Sequence, residues 1–169
     1  APPTPPPLKP EAKARIDAYQ KLVAKSGDSP GGWCLGTSMP GSMLGSGGYP
    51  MEIIQRPEQI TIIYEAHSET RRVYFGNRNA PEKDRVPGRN GYSSGRWEGD
   101  TLVVDTRHMK AGIYDRSGAP HSQLLHLTER IRRIEGNQIE FDITLDDPVM
   151  FTQPWKLKRL YRFSGYRTM

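Results

Sequence analysis

The chain of 169 residues has a single cysteine, Cys34, so no disulfide closes within it. No apolar run approaches the ~18 to 20 residues that cross a bilayer as a helix. A disulfide-stapled scaffold and a helical membrane protein are therefore both excluded. Internal repeats are missing too, which excludes solenoids and propellers. Basic residues outnumber acidic ones, 24 to 19, for a net charge of +5, but no unopposed run of five or six cations exists. Arg71-Arg72, Arg107, Arg130, Arg132-Arg133 and Arg159 alternate across strands instead of forming a stripe. Nucleic acid is accordingly not an expected partner, because an OB-like barrel would interleave basic and aromatic side chains on one exposed face.

What is abundant is turn chemistry. Seventeen glycines and fifteen prolines make up about a fifth of the chain, against the ~12% usual for globular proteins, and they cluster at the amino end and in bounded turns. Residues 1–9 read as a proline-rich leader, residues 10–163 as one domain, and residues 164–169 as a tail. Six prolines in the first ten residues remove backbone donors and favour an extended tether. Pro10 suits a first helical turn, and Ile16, Tyr19, Leu22 and Val23 recur at helical spacing before Gly27, which predicts one amphipathic helix over 11–25. Residues 29–50 form a long Gly/Ser/Pro-rich loop that also holds Trp33, Cys34, Met39, Met43 and Tyr49. A segment of that length with hydrophobes in it is expected to wrap over an opening in the core.

After Pro50 the apolar period becomes two. Strands are predicted over 51–55, 59–66, 70–75, 95–98, 101–106, 124–134, 138–145 and 155–163, with polar loops over 76–90 and 110–120. A Gly99-Asp100 turn links the fourth strand to the fifth. Eight short antiparallel strands predict a mainly β fold, an up-and-down, lipocalin-like (calycin-like) β-barrel of about eight strands with one N-terminal helix. One register follows from the residues. A three-residue loop at Glu135-Gly136-Asn137 sets Arg132 opposite Glu140 and Arg130 opposite Asp142, and gathers Leu127, Ile131, Ile139, Phe141, Ile143 and Leu145 on the other face. Glu129 falls on that apolar face. A carboxylate there must be paired, protonated or functional. Arg159, the one cation among the alternate residues Trp155, Leu157, Tyr161 and Phe163, is its expected structural partner, with a site role as the alternative.

Acid–base chemistry is best supplied by His121, His126 and Asp115, which cluster around one turn; an imidazole titrates near neutrality, and a carboxylate within reach fixes its tautomer. Glu129 is the fourth candidate catalytic residue. The competing reading makes Asp115 a turn cap and the histidines solvated or bonded to backbone. Ser122 beside His121 does not indicate a hydrolase, since no Gly-x-Ser-x-Gly elbow surrounds it. Metal ligation by His121, His126 and Asp115, or by Cys34, Met39 and Met43, lacks diagnostic spacing, so no metal and no cofactor are expected. Cys34 reads as a buried free thiol and the methionines as a hydrophobic flap. Tyr64, Tyr74, Trp97, Phe141, Trp155, Arg159 and Tyr161 are the expected pocket lining for a small organic molecule, although the aromatics alone would equally well fill a core. Glu65, Arg96 and Asp146 stand at strand ends, where they would rim a mouth.

The stretch Arg96-Trp97-Glu98-Gly99-Asp100-Thr101-Leu102-Val103-Val104-Asp105-Thr106, followed by Asp115, Gly118, Pro120-His121-Ser122, Leu125-His126, Glu129-Arg130 and Asp146-Asp147-Pro148, resembles a widespread family of exported bacterial proteins of uncharacterised activity. Leu8-Lys9-Pro10, Cys34 and the Phe151-to-Trp155 stretch extend the resemblance over residues 8–163, while Arg107-His108-Met109 departs from it. The resemblance implies a periplasmic or secreted protein, in keeping with a chain that begins at Ala1. The Gly-x-Trp stretch is more loosely similar to lipocalin-like barrels, an analogy about fold that does not set function. Two functions are carried forward: a cofactor-independent acid–base enzyme of the lyase, isomerase or hydratase type, and a non-enzymatic protein that binds a hydrophobic small molecule. Self-association into a homo-oligomer is left open by the sequence.

Overall fold

The computed structural model describes residues 5–26, 36–44, 49–163 and 165. Helix α1 (Pro10–Val23) starts at the proline, whose missing N–H is one that a first turn leaves unpaired in any case. Its inward stripe is Ala12, Ile16, Tyr19 and Val23, spaced four, three and four residues apart, whereas Leu22 points into solvent. The short kinked helix α2 (Ser38–Leu44) makes up most of the described part of the Gly/Ser/Pro-rich loop. Met39 and Met43 are fully buried in the main core, as a wrap over the core requires.

Ten strands follow in chain order: β1 (Met51–Arg56), β2 (Gln59–Tyr64), β3 (Glu69–Tyr74), β4 (Tyr92–Glu98), β5 (Thr101–Arg107), β6 (Gly112–Ile113), β7 (Pro120–His121), β8 (His126–Ile134), β9 (Gln138–Asp146) and β10 (Trp155–Arg162). Eight of them form one sheet in the order β1-β2-β3-β4-β5-β8-β9-β10, and β6 pairs with β7 in a separate ribbon inside the expected 110–120 loop. The fold is mainly β with an N-terminal helix, as the alternation predicts. The sheet curls into a half-barrel, and β1 and β10 are its two open edges among the described residues. Every neighbouring pair is antiparallel except β3 with β4, which run parallel over Val73↔Ser93 and Tyr74↔Ser94.

The β8–β9 hairpin has the expected register, with Arg132 opposite Glu140 and Arg130 opposite Asp142. Gly136 occupies the left-handed position of its loop (φ 69°), where a side chain would be strained. Following the pairing across the sheet puts Ile60, Ile62, Tyr64, Arg71, Val73, Ser93, Leu102, Val104, Thr106, Leu127, Glu129, Ile131, Phe141, Ile143, Leu145 and Trp155 on the concave face, and all of them are buried. Burying one such aliphatic side chain stabilises the fold by about 1.5 to 3 kcal/mol, so this face dominates the stability.

The leader is not a free tether where it is described. Leu8 bridges to Phe151, Lys9 N–H donates to Met150 O (2.9 Å), and Thr152 N–H donates to Pro7 O (2.8 Å). Cys34 and Trp33 lie outside the described residues. Among those residues, no helix is long and apolar enough to cross a membrane.

Candidate functional site

Strand alternation on β3 sets Arg71 and Val73 on one face and Thr70, Arg72 and Tyr74 on the other. The inward face is the concave one, so the Arg71 guanidinium enters an apolar surface and must find partners there. It donates from Nε to Ser93 Oγ (2.9 Å) and from Nη2 to Thr106 Oγ1 (2.6 Å), and it forms an ion pair with Glu129 through Nη2 and Oε2. Ser93 and Thr106 hydroxyls bond each other at 2.8 Å. The interior partner of Glu129 is thus Arg71. Arg159 sits on β10 opposite Phe141 and donates to Leu44 O (2.9 Å) at the end of α2, so the expected Glu129–Arg159 pair does not form. Both cations share the concave face, and β10 is nearer to β8 in the sheet order than β3 is, but Arg159 is taken up by the end of α2, whereas the Arg71 side chain reaches across β4 and β5 to Glu129.

The cluster is incompletely satisfied. Arg71 Nη1, Glu129 Oε1 and Tyr64 Oη are fully buried with no hydrogen bond of good geometry, although the Tyr64 hydroxyl and the Arg71 guanidinium act on each other, and Arg159 Nε is likewise unmatched. Burial is the largest influence on Arg71 and opposes its charge, but the Glu129 carboxylate and the Tyr64 hydroxyl together hold the guanidinium pKa above its ordinary value. Burial pushes the Tyr64 hydroxyl well above the usual tyrosine range, against the pull of Arg71, so the phenol is neutral and can donate. Tyr161 is raised in the same way by burial, and its hydroxyl donates to Met43 O (3.4 Å). α2 therefore covers the concave face with Met39 and Met43, while Arg159 and Tyr161 grip its last carbonyls and Asn90 Oδ1 accepts from Met39 N–H (3.1 Å).

The four residues expected to carry catalysis are not brought together. His126 lies on the convex face of β8, the face opposite Glu129. Its Nε2–H donates to the Asp105 carboxylate, while Nδ1 accepts from Arg107 Nη2 (3.1 Å), a pairing that specifies the Nε2–H tautomer. Asp115 caps its own turn through Ser117 N–H (2.8 Å) and Ala119 N–H (3.2 Å) and touches neither histidine. His121 is buried on β7, opposite Gly112, with Nδ1 3.3 Å from Ser122 O and Nε2 unpartnered. Burial lowers the His121 pKa, against the Ser122 carbonyl and the Asp147 charge, and this keeps the imidazole neutral. Tyr114 lies one residue pair beyond the ribbon, its N–H bonded to Ala119 O (2.9 Å), with its buried hydroxyl unpartnered and its pKa raised by burial and by Asp115 and Asp147.

Of the expected lining, Tyr64, Phe141, Trp155, Arg159 and Tyr161 do face the concave side, and Phe141 meets Tyr161 edge-on at 5.0 Å between centroids. Tyr74 does not; it stacks on Tyr92 (5.2 Å) on the convex face. Trp97 is half exposed near the end of β4. Trp97 is on the concave side by register, opposite Leu102, but at the exposed end of that face, so only Tyr74 is turned away from it.

Arg71, Ser93 and Thr106 are the residues that the sequence reading missed. The signal was present in the alternation of Arg71 with Val73, which a count of basic residues conceals. Ser93 also sits in Gly91-Tyr92-Ser93-Ser94-Gly95, the nominal spacing of a nucleophile elbow. Here the serine is inside a strand, not on a strand-to-helix turn, and its hydroxyl is held by a guanidinium and a threonine, so it has no general base. Among the described residues, no group of three His, Cys, Asp or Glu side chains is placed to hold a metal ion. Comparison of the chain with protein-family models, with curated proteins and with solved structures gives no match.

Proposed function

We propose that the protein binds a small, largely apolar organic molecule against the concave face of the half-barrel, with the polar end of that molecule on the Arg71–Glu129–Tyr64 cluster. The observation that carries this reading is Glu129 Oε1, buried in apolar surroundings without a partner, with Arg71 Nη1 and Tyr64 Oη beside it engaged at most with each other. Such atoms cost free energy unless something meets them, and a ligand group with a donor and an acceptor does so. In this reading α2 is the lid, since the groups holding its end, Arg159 and Tyr161, are themselves concave-face residues. The resemblance to exported bacterial proteins supports capture in the cell envelope or outside the cell.

Native mass spectrometry of freshly purified protein tests this. The wild type is expected to carry an organic adduct, and the pair Arg71→Met with Glu129→Leu is expected to fold and lose it. A wild type that carries nothing, and whose melting temperature no apolar alcohol, amide or acid raises, overturns the proposal.

A second reading, acid–base catalysis on a small organic compound without a cofactor, rests on one observation. His121 donates from Nδ1 to Ser122 O, which leaves Nε2 as an unprotonated, buried and unpartnered base. Gly112 faces that nitrogen, and a Cβ added there would lie 3.3 Å from it. Turnover abolished by His121→Asn and unaffected by His126→Asn would favour catalysis; unchanged turnover in both would remove it.

A further inference from the structure

The edge of the sheet at β1 is built differently from the edge at β10. β10 presents Lys156, Lys158 and Arg162 on its convex face, the sort of charge that keeps an edge from pairing with another chain. β1 has no lysine, no proline and no bulge within its six residues, and every residue from Glu52 to Arg56 is exposed. Ile53 and Ile54 point to opposite faces, and each is 37% exposed. Among the described residues, nothing pairs with its outer side.

The hydrogen-bond phase of this edge is fixed. Glu65 N–H donates to Pro50 O, so Pro50 and Glu65 are a hydrogen-bonded pair, and alternation makes Glu52, Ile54 and Arg56 the residues bonded to β2. The N–H and C=O groups of Met51, Ile53 and Gln55 therefore point outward. An antiparallel two-fold through Ile54 matches Ile53 of one copy with Gln55 of the other, twice, so that four outward groups on each copy find partners. The same axis sets Ile54 against Ile54 and Glu52 against Arg56 on both sides, on the convex face. Moving the axis to Ile53 or to Gln55 keeps the hydrogen bonds in phase but leaves Glu52 or Arg56 opposite an isoleucine. An axis between residues mismatches the bonding groups altogether. Neither Glu52 nor Arg56 has an ion-pair partner in its own chain among the described residues.

We infer that β1 is a homodimerisation edge: two copies pair β1 with β1 antiparallel about Ile54, joining two half-barrels into one continuous sheet, with reciprocal Glu52–Arg56 ion pairs fixing the register. The inference is independent of what the concave face binds.

Sedimentation velocity of the full chain over a range of concentrations tests it. The wild type is expected to show a reversible monomer–dimer equilibrium. Glu52→Arg and Arg56→Glu, each of which sets like charges opposite one another twice, are each expected to weaken the dimer by about tenfold or more. The swapped double variant, Glu52→Arg with Arg56→Glu, restores opposite charges and is expected to recover the dimer. All four proteins are first compared by circular dichroism, and the recovery itself shows that the single variants did not fail through misfolding. A wild type that stays monomeric to about 1 mM overturns the inference. So does a dimer indifferent to either single change, or a folded double variant that stays as weak as the singles.

Discussion

Replacing Arg71 and Glu129 singly and together separates their contribution to stability from their contribution to binding. Both side chains are almost wholly inaccessible, at 1% and 0% exposure, so removing one leaves the other charged group desolvated and unpaired. Breaking a buried pair in this way costs about 3 to 5 kcal/mol, a large share of the ~5 to 15 kcal/mol that stabilises an ordinary domain. For a chain of this length that is a drop of roughly 6 to 20 °C in melting temperature. Glu129→Leu alone and Arg71→Met alone are each expected to show it. The double variant removes both charges and substitutes apolar groups of similar volume, while Ser93 and Thr106 keep their mutual hydrogen bond. It is expected to be within about 1 kcal/mol of the wild type or up to ~4 kcal/mol more stable. Urea unfolding followed by circular dichroism yields the four free energies, and the cycle should give a coupling of at least about 3 kcal/mol. A double variant as unstable as the sum of the singles would refute the pairing and, with it, the reason for reading the remaining open atoms as a site. Loss of ligand in a stable double variant is the signature of a cluster kept for recognition and not for folding.

Three more outcomes follow from the same coordinates. The folded pKa of His121 lies below its unfolded value near 6.5, so the unfolded chain binds more protons as pH falls through that value, and stability is lost from about pH 6.5 downward until the folded pKa is passed. Urea midpoints measured from pH 8 to pH 5 should show this slope, up to about 1.4 kcal/mol per pH unit, and His121→Asn should flatten it. Gly118→Ala should cost about 2 to 4 kcal/mol by thermal melting, because φ there is 84° and the new Cβ would lie 2.2 Å from the Tyr19 ring, detaching α1 from its turn. Asp147→Ala, which unties Ser122 N–H and Oγ (2.7 and 2.8 Å) and the N–H groups of Val149 and Met150 (3.1 and 3.2 Å), should cost a similar amount, read by the same melt.

How far the sequence carried differs between fold and site for a physical reason. The β8–β9 hairpin was legible to the residue because its pattern has period two, because opposite charges mark one face, and because a one-residue slip would mix the faces. Glu129 was found by the same means, as a carboxylate between Leu127 and Ile131 on an apolar face. Its partner was not, because pairing along the chain says nothing about which of several distant strands supplies a cation: Arg159 and Arg71 both alternate with apolar residues, and what decides between them is that α2 takes up Arg159 while Arg71 reaches across the sheet to Glu129. The histidines illustrate the opposite error. His121 and His126 are close in sequence, yet one is buried in a small ribbon and the other sits on the convex face with Asp105, so proximity along the chain did not become proximity in space. Tyr74 has the right chemistry on the wrong face of its strand, whereas Trp97 has the right face but stands at its exposed end.

The parallel contact between β3 and β4 amounts to two residue pairs in a sheet whose other junctions run for six or more. It divides the sheet into a meander over residues 51–74 and a larger unit over 92–162. The Arg71 guanidinium reaches from the first unit to Ser93, Thr106 and Glu129 of the second. With the Tyr74–Tyr92 stack on the other face, this side chain fastens the two pieces across their shortest junction. Its loss without the loss of Glu129 should weaken this seam most, so amide hydrogen exchange should quicken in the amino-terminal meander more than in the rest.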